Sequence, residues 1–306
     1  MTEVEEKVCD LPEDAPETSI SSDTPAGIQV YYQLAPKRLY KVKGVEEWQG
    51  WVEVPSVTTV LDVLDKPGLP WWGMKTGVDG IKQLIEMQAV VAGEGGLFTY
   101  DGASYVRVGT DELVALLTKH QLTVNHIRDK AGDRGTAVHD ALEVWADTGT
   151  LPDPLMFPVE QQGYVLGLRR FLEHVDPEPE ASEIGVGSVE HGYAGRYDLR
   201  ISVKEAKSVS FHTTPKRGMQ FARLEPGKIL LDLKTSSGVY DSHSRQLEAY
   251  EQASIECGYE PTSARGILRL LPDGNYEFVR STATFEDFKV VLGVWQSNAA
   301  MKARKK

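Results

Sequence analysis

Hydrophobic and polar residues alternate along this chain with two different periods, and the change between them falls near residue 180. Residues 158–175, "PVEQQGYVLGLRRFLEHV", repeat their apolar positions every three to four residues, the spacing of an amphipathic helix. Similar spacing predicts helices over "WWGMKTGVDGIKQLIEMQAVVA" and over most of residues 111–147, with an interruption near "AGDRGT". Ser56 is placed to cap a short helix, "VTTVLDVLD", that stops before Pro67. "RLYKVKG" and "GWVEVPS" predict a strand pair, and "LFTYDGASYVRV" a hairpin turning at Asp101–Gly102. From about residue 182 the texture becomes strand-like, in "SEIGVGS", "GYAGRYDLRIS" and "KILLDLKTS". "DSHSRQLEAYEQASIECG" then predicts a helix capped by Ser242 or Ser244 and ended by Gly258. "RGILRLL" and "YEFVRS" pair around Asp273–Gly274, and "TFEDFKVVLGVWQSNAAMKARK" closes with a helix. Three strands, a crossover helix and a further strand imply an α/β core, with a mixed central sheet flanked by helices.

One of these strands carries charge inside an apolar run. In "KILLDLKTSSG", residues 228–238, Ile229, Leu231 and Leu233 share one face while Leu230, Asp232 and Lys234 share the other. Taken alone, Asp232 and Lys234 are an ion pair at a strand exit, a common arrangement that contributes little. Asp198, in "GRYDLRI", taken alone is a solvated residue on the polar face of a half-buried strand. On adjacent strands the two acids repel one another unless one is protonated or a cation lies between them. Hard divalent ions take such oxygen ligands, and Mg²⁺ typically uses one or two protein carboxylates with water and substrate phosphate. Lys234 beside them then serves to hold or deprotonate an attacking water and to neutralise charge on a phosphoryl group.

Composition narrows the setting. The 306 residues, 41% hydrophobic and 25% charged, suit a soluble globular protein with a sizeable core. No apolar run is long enough to span a bilayer and the acidic N-terminus lacks a signal peptide's apolar stretch, so the expected setting is the cytoplasm, away from membranes. Cys9 and Cys257 are too few for a disulfide framework or a cysteine metal cluster. The net charge of −12 argues against a nucleic-acid protein until it is mapped: residues 1–25 alone carry −7. Their Pro and Ser content predicts a disordered acidic tail, leaving residues 26–306 as a single domain, helical over about 56–175 and with its core at about 180–300. Residues 203–228, with Lys204, Lys207, Lys216, Arg217, Arg223 and Lys228, are net +4. Overall acidity therefore excludes only a broad basic surface. No GxxxxGK[ST] segment is present, so nothing points to a nucleotide-hydrolysing motor.

At this point the residues carry a family resemblance. Asp198, then Asp232-Leu233-Lys234 on a following strand, then Gln246 and Tyr250 on the next helix, resemble the PD-(D/E)XK nuclease superfamily. The texture is that of its RecB-like exonuclease branch: a G-x-x-D strand, a D-x-K strand and a Q-x-x-x-Y helix. "RGTAVHDALE", residues 134–143, is similar to that branch's G-T-x-x-H-x-x-x-E helix. "VPSVTTVLDVLDKPGLPWW" is similar to a P-S-V-T segment of phage members and of the mitochondrial genome maintenance exonuclease. The pieces run in the family's order from about residue 54 to residue 250. The resemblance implies a restriction-endonuclease-like core. It also implies metal ligation by His139, Asp198, Asp232 and the Leu233 carbonyl, with Lys234 as the catalytic lysine. Gln246 and Tyr250 would face the scissile phosphate or brace the strand carrying Lys234. Arg134, Ser236, Lys216 and Arg217 are candidate substrate contacts, and Glu143 lies one turn beyond His139. Outside the resemblance, His139 is an ordinary helix histidine, Tyr250 a core residue and Arg134 a helix cap. The iron–sulfur members of the branch carry four cysteines, so no iron–sulfur cluster is expected here. Glu183 and Glu190 are the candidates for a second acid before Asp198, Glu183 the better placed, and the number of metal ions stays open.

The expected activity is Mg²⁺- or Mn²⁺-dependent hydrolysis of phosphodiester bonds at DNA ends, in recombination, repair or replication, in a bacterial or phage-infected cell. Single-stranded DNA is the expected substrate, with Trp48, Trp51, Trp71 and Trp72 either stacking bases or packing a core. Residues 203–228 either clamp the DNA backbone or form a solvated loop. A recombinase or a single-strand-binding protein is a candidate partner. The alternatives are a structure- or sequence-specific endonuclease on the same fold, and a non-catalytic DNA-binding accessory protein of recombination.

Overall fold

The structure, a computed structural model, describes residues 8–9, 19–33, 39–44, 50–64, 66, 68–91, 98–100, 104–106, 109–211 and 220–305. The chain forms two compact units, one of residues 1–64 and 137–306 and the other of residues 65–136.

The first unit opens with an antiparallel sheet of β1 (Val8–Cys9), β2 (Ser19–Asp23), β3 (Gln29–Gln33), β4 (Leu39–Lys43) and β5 (Trp51–Val54), in spatial order β1-β5-β4-β3-β2. The pair predicted from "RLYKVKG" and "GWVEVPS" is β4 with β5. The tail expected over residues 1–25 needs correction, because Ser19–Asp23 pairs residue by residue with Gln29–Gln33. An edge strand meets water along one side, so polar and acidic residues that look like a tail are tolerated there. The turn is made by Gly27 at φ +79° and by Thr24, whose hydroxyl donates to the Ile28 carbonyl at 2.7 Å. Strand β3 itself has no counterpart in the sequence expectations, although Val30 and Tyr32 are fully buried.

Ser56 caps α1 (Val57–Leu61), its hydroxyl accepting from the Thr59 N–H at 3.0 Å. The Pro55 carbonyl accepts from Ala194 N at 3.0 Å. The P-S-V-T segment is thus a cap and a docking point against the strand that carries Asp198.

The second unit holds α2 (Gly68–Val91), a hairpin of β6 (Phe98–Tyr100) and β7 (Ser104–Val106), α3 (Thr110–Lys119) and the first half of α4 (Val124–Thr148). The hairpin's expected Asp101–Gly102 turn lies outside the described residues. Helix α4 runs unbroken through "AGDRGT". The interruption falls earlier, around Gln121 at φ +57°, so Arg134 stands inside a helix and not at its end. The helical part expected over 56–175 is therefore not a unit, since α1 and the later helices belong to the first one.

From Ala137 onward α4 is part of the first unit. Val138, Leu142 and Trp145 are buried there in one cluster with Leu168 and Phe171 of α5 (Val159–Val175). The central sheet contains β8 (Glu178–Ser188), β9 (Tyr193–Val203), β12 (Gly227–Lys234), β13 (Ala264–Leu270) and β14 (Tyr276–Arg280). A short hairpin of β10 (Lys207–Phe211) and β11 (Gln220–Leu224) leads from β9 to β12. Its spatial order is β14-β13-β12-β9-β8, with β12 and β13 parallel and all other neighbours antiparallel. Helix α6 (Asp241–Glu256) makes the crossover between the parallel pair, and α7 (Phe285–Ala303) follows the last strand. This is a mixed α/β fold with its central sheet flanked by helices. Leu230, Ile267, Leu247 and Phe288 fill one cluster, while Leu231, Leu233, Leu268 and Phe171 fill another, as the alternation along β12 requires. Helix α6 begins before the predicted caps, with Tyr240 rather than Ser242 or Ser244 at its N-cap, and is terminated by Gly258 at φ +87° just after its C-cap Cys257.

Candidate metal centre

The centre arises where two strands part. Strand β9 pairs with β12 only as far as Leu199↔Leu231, while β12 continues beside β13 to Lys234↔Arg269. The Leu233 N–H, left without a backbone partner on the β9 side, donates to Asp198 Oδ2 at 2.7 Å. Asp198 is therefore buried and hydrogen-bonded, not a solvated polar-face residue. Leu233 is tied to the centre through its N–H; its expected carbonyl role finds no further support.

Asp232 is 1% exposed, and Lys234 Nζ lies 2.7 Å from its carboxylate oxygens, donating to Oδ1. Burial raises the Asp232 pKa, outweighing the lysine's opposing effect, and the charge of Asp198 adds to the rise. Burial pulls Lys234 down, but the charges of Asp232 and Asp198 override it and raise its pKa. The raised pKa keeps Lys234 an ammonium.

Helix α4 delivers His139 from the side. Its Nδ1 is 3.0 Å from Glu183 Oε1 and 3.8 Å from Asp198 Oδ1. Burial lowers the imidazole pKa, yet Asp198 and then Glu183 more than reverse this and raise it to about 8. Ligand atoms of His139, Glu183 and Asp198 all fall within 4.8 Å of one another. One imidazole and two carboxylates at that spacing suit a divalent ion such as Mn²⁺ or Mg²⁺. Asp232 stands outside this triplet, its carboxylate engaged by Lys234, and Glu183 enters it. Glu183 sits in the left-handed region at φ +53° in mid-strand, between the pairs Ser182↔Leu199 and Ile184↔Tyr197. A non-glycine residue held there marks strain of about 1 kcal/mol or more, which clusters at functional positions.

Gln246 donates to the Tyr250 hydroxyl at 2.9 Å, and Tyr250 is buried. A Cβ on Gly195 would come within 2.3 Å of the Tyr250 ring. The glycine of G-x-x-D is thus the gap that lets the helix tyrosine lie on the strand. Tyr250 thereby braces the strand that carries Asp198, and the charges of both Asp198 and Asp232 act on its hydroxyl. His243, on the same face of α6 three residues before Gln246, was not singled out from the sequence. Burial and the charge of Lys234 lower its imidazole to about 4, partly opposed by Asp232. Its only signal was that spacing.

The Ser236 hydroxyl donates to the Gly238 carbonyl at 2.7 Å, and Arg269 holds the Ser236 and Ser237 carbonyls, fixing the loop after Lys234. Lys216, Arg217 and Trp48 lie outside the described residues. Arg134 is half-buried in the second unit, where α2 exposes Trp71. Trp51 packs edge-on against Tyr31. Lys204 and Lys228 are paired with Glu178 and Glu260 from outside the +4 segment, which blunts it, and Arg223 with Glu225 inside it. Glu143 is exposed.

No protein-family model matches the chain, and no curated protein matches it. Among the described residues, no helix is long and apolar enough to cross a membrane.

Proposed function

We propose that this chain is a divalent-metal-dependent nuclease with a restriction-endonuclease-like, PD-(D/E)XK core, hydrolysing phosphodiester bonds at DNA ends. One observation carries it: the strands part where Asp198 takes up the Leu233 N–H, and there His139, Glu183 and Asp198 converge beside the Asp232–Lys234 pair. The order of G-x-x-D, D-x-K and Q-x-x-x-Y along the chain supports the same assignment.

Mg²⁺ or Mn²⁺ would be held by His139, Glu183 and Asp198, with Asp232 on its flank. When bound, such an ion supplies Lewis acidity toward water and a phosphoryl oxygen. Hydrolysis joins the water oxygen to phosphorus, breaks one P–O ester bond and passes a proton to the leaving oxygen. Lys234, kept as an ammonium by Asp232, orients the water and offsets negative charge on the phosphoryl oxygens, rather than removing a proton. Asp198 cannot swing away without orphaning the Leu233 N–H, so the strand exit preorganises it. Tyr250, on Gly195, fixes β9 from behind.

The test is digestion of end-labelled linear and covalently closed circular DNA, single- and double-stranded, with Mg²⁺, Mn²⁺ or EDTA. Metal-dependent release of label from linear DNA, abolished by Asp232→Asn, is the expected result. Cutting of closed circles assigns an endonuclease instead. No cleavage of any DNA with either ion overturns the nuclease assignment.

A further inference from the structure

We infer that Arg196, seated on Tyr32 of the N-terminal sheet, is a positioning residue that holds Glu183 as a ligand of the metal; this rests on the metal assignment proposed above.

Arg196 stands on β9, two residues before Asp198. Its Nε is 2.7 Å from Glu183 Oε2, while Glu183 Oε1 is 3.0 Å from His139 Nδ1. Glu183 is thus gripped at both oxygens, by a guanidinium on one side and an imidazole on the other. It needs the grip, because φ +53° in mid-strand costs a non-glycine residue about 1 kcal/mol or more. Without a partner, the carboxylate would have a strained backbone to relax and a buried charge left unpaired.

The guanidinium is itself held. It lies 5.3 Å from the centre of the Tyr32 ring, and its Nη1 donates to the Tyr32 hydroxyl at 3.4 Å. Tyr32 is fully buried on β3 and stacks on Tyr40 of β4 at 5.8 Å. Contacts therefore run from the N-terminal sheet, through Tyr32 and Arg196, to Glu183 and His139. On this account the sheet is more than a cover for the core: it sets the orientation of a ligand.

A plain counter-charge role makes the opposite prediction. Arg196 is a cation close to a cation site, so its charge alone opposes metal binding. Removing it should tighten binding if Arg196 only neutralises Glu183, and loosen binding if it orients Glu183. The experiment measures Mn²⁺ affinity of the full chain by calorimetry and by electron paramagnetic resonance, with Asp198→Asn identifying the signal of this centre. Arg196→Met is expected to weaken Mn²⁺ binding about 10-fold or more, in the range seen when partners of metal ligands are lost. Arg196→Lys keeps the charge but not the planar fork, and is expected to weaken it less, with Tyr32→Phe least. Melting curves in EDTA check that each variant folds, and Arg196→Lys is the variant to rely on if Arg196→Met does not. Unchanged or tighter binding by the folded variants overturns the inference. A wild-type chain that binds Mn²⁺ at this centre but cleaves no DNA overturns the nuclease assignment alone. Absence of Mn²⁺ binding overturns both.

Discussion

Among the described residues, two places in the first unit bring one histidine and two carboxylates within 4.8 Å: His139 of α4 with Glu183 and Asp198 of the sheet, and Glu190, His191 and Glu256 at the turn between β8 and β9. They share a ligand count and little else. In the sheet, the side chains of Glu183 and Asp198 are 10% and 12% exposed. At the turn, Glu190 is 72% exposed, and Glu256 accepts from the Ser188 hydroxyl at 2.8 Å and from Glu190 N at 3.3 Å. The Glu256 carboxylate closes the hairpin onto the end of α6, which is a structural task. Those in the sheet face one another and two cations, Lys234 and Arg196, in a place water reaches poorly. Burial, fixed geometry and a nearby ammonium separate a candidate reaction centre from a cluster of polar residues, because low dielectric strengthens each charge interaction and makes an unpaired one costly.

The largest expected difference is in cleavage. Asp232→Asn, which is isosteric, should lower DNA hydrolysis by about 10²–10⁴-fold and leave DNA binding intact or tighter. Glu256→Gln at the turn should stay within about 2-fold of the wild type if the turn is structural. Rates on end-labelled DNA, with binding measured separately, compare the two. Equal losses would break the distinction.

Next in size is the metal requirement. His139→Ala should raise the Mg²⁺ concentration for half-maximal activity by about 10–100-fold, with partial rescue by Mn²⁺, which accepts looser geometry. His191→Ala should leave the metal titration where it was. If His139→Ala only lowers the melting temperature, His139 is a packed helix residue and not a ligand.

A third comparison concerns support. Gly195→Ala would push a methyl group to within 2.3 Å of the Tyr250 ring, an overpacking that costs about 1–3 kcal/mol. Gly192, at φ +70° in the β8–β9 turn, is strained on substitution by its backbone alone, at a cost nearer 1 kcal/mol. Denaturant unfolding of both variants ranks them. A cost for Gly195→Ala below that of Gly192→Ala would mean that β9 and α6 yield more easily than their packing implies.

The smallest effect is in pH. With its pKa raised from 6.5 to about 8, His139 contributes stability that is fully present below pH 6.5 and is lost as pH rises through about 8. The amount is about 1–2 kcal/mol, since the side chain is partly exposed. Melting of the metal-free chain in EDTA should therefore fall between pH 6.5 and 8.5, and His139→Gln should flatten that fall. The same proton competes with a metal, so apparent metal affinity should rise over that interval.

The alternation of Ile229 to Lys234 determined which side of the sheet each residue faces, because a strand leaves only two choices. Asp232 and Lys234 could be placed side by side from their spacing, while Asp198 was joined to them by the order of the motifs along the chain. The sequence order also carried the mixed sheet, its crossover helix and the cap at Ser56. It did not reveal β2, because an edge strand need not look apolar, nor the interior strand β3 beside it, nor the unbroken course of α4 through two glycines. Glu183 was named only as one of two candidates. Its entry into the centre depends on a left-handed backbone and on Arg196 and His139, which lie 13 and 44 residues away in the chain. Tyr250 lies against β9 because Gly195 offers it space, a fact about two surfaces meeting. The chain's periodicity specified local direction; only tertiary contact decided which charges stand together, because distances between strands and helices are set by packing and not by spacing along the chain.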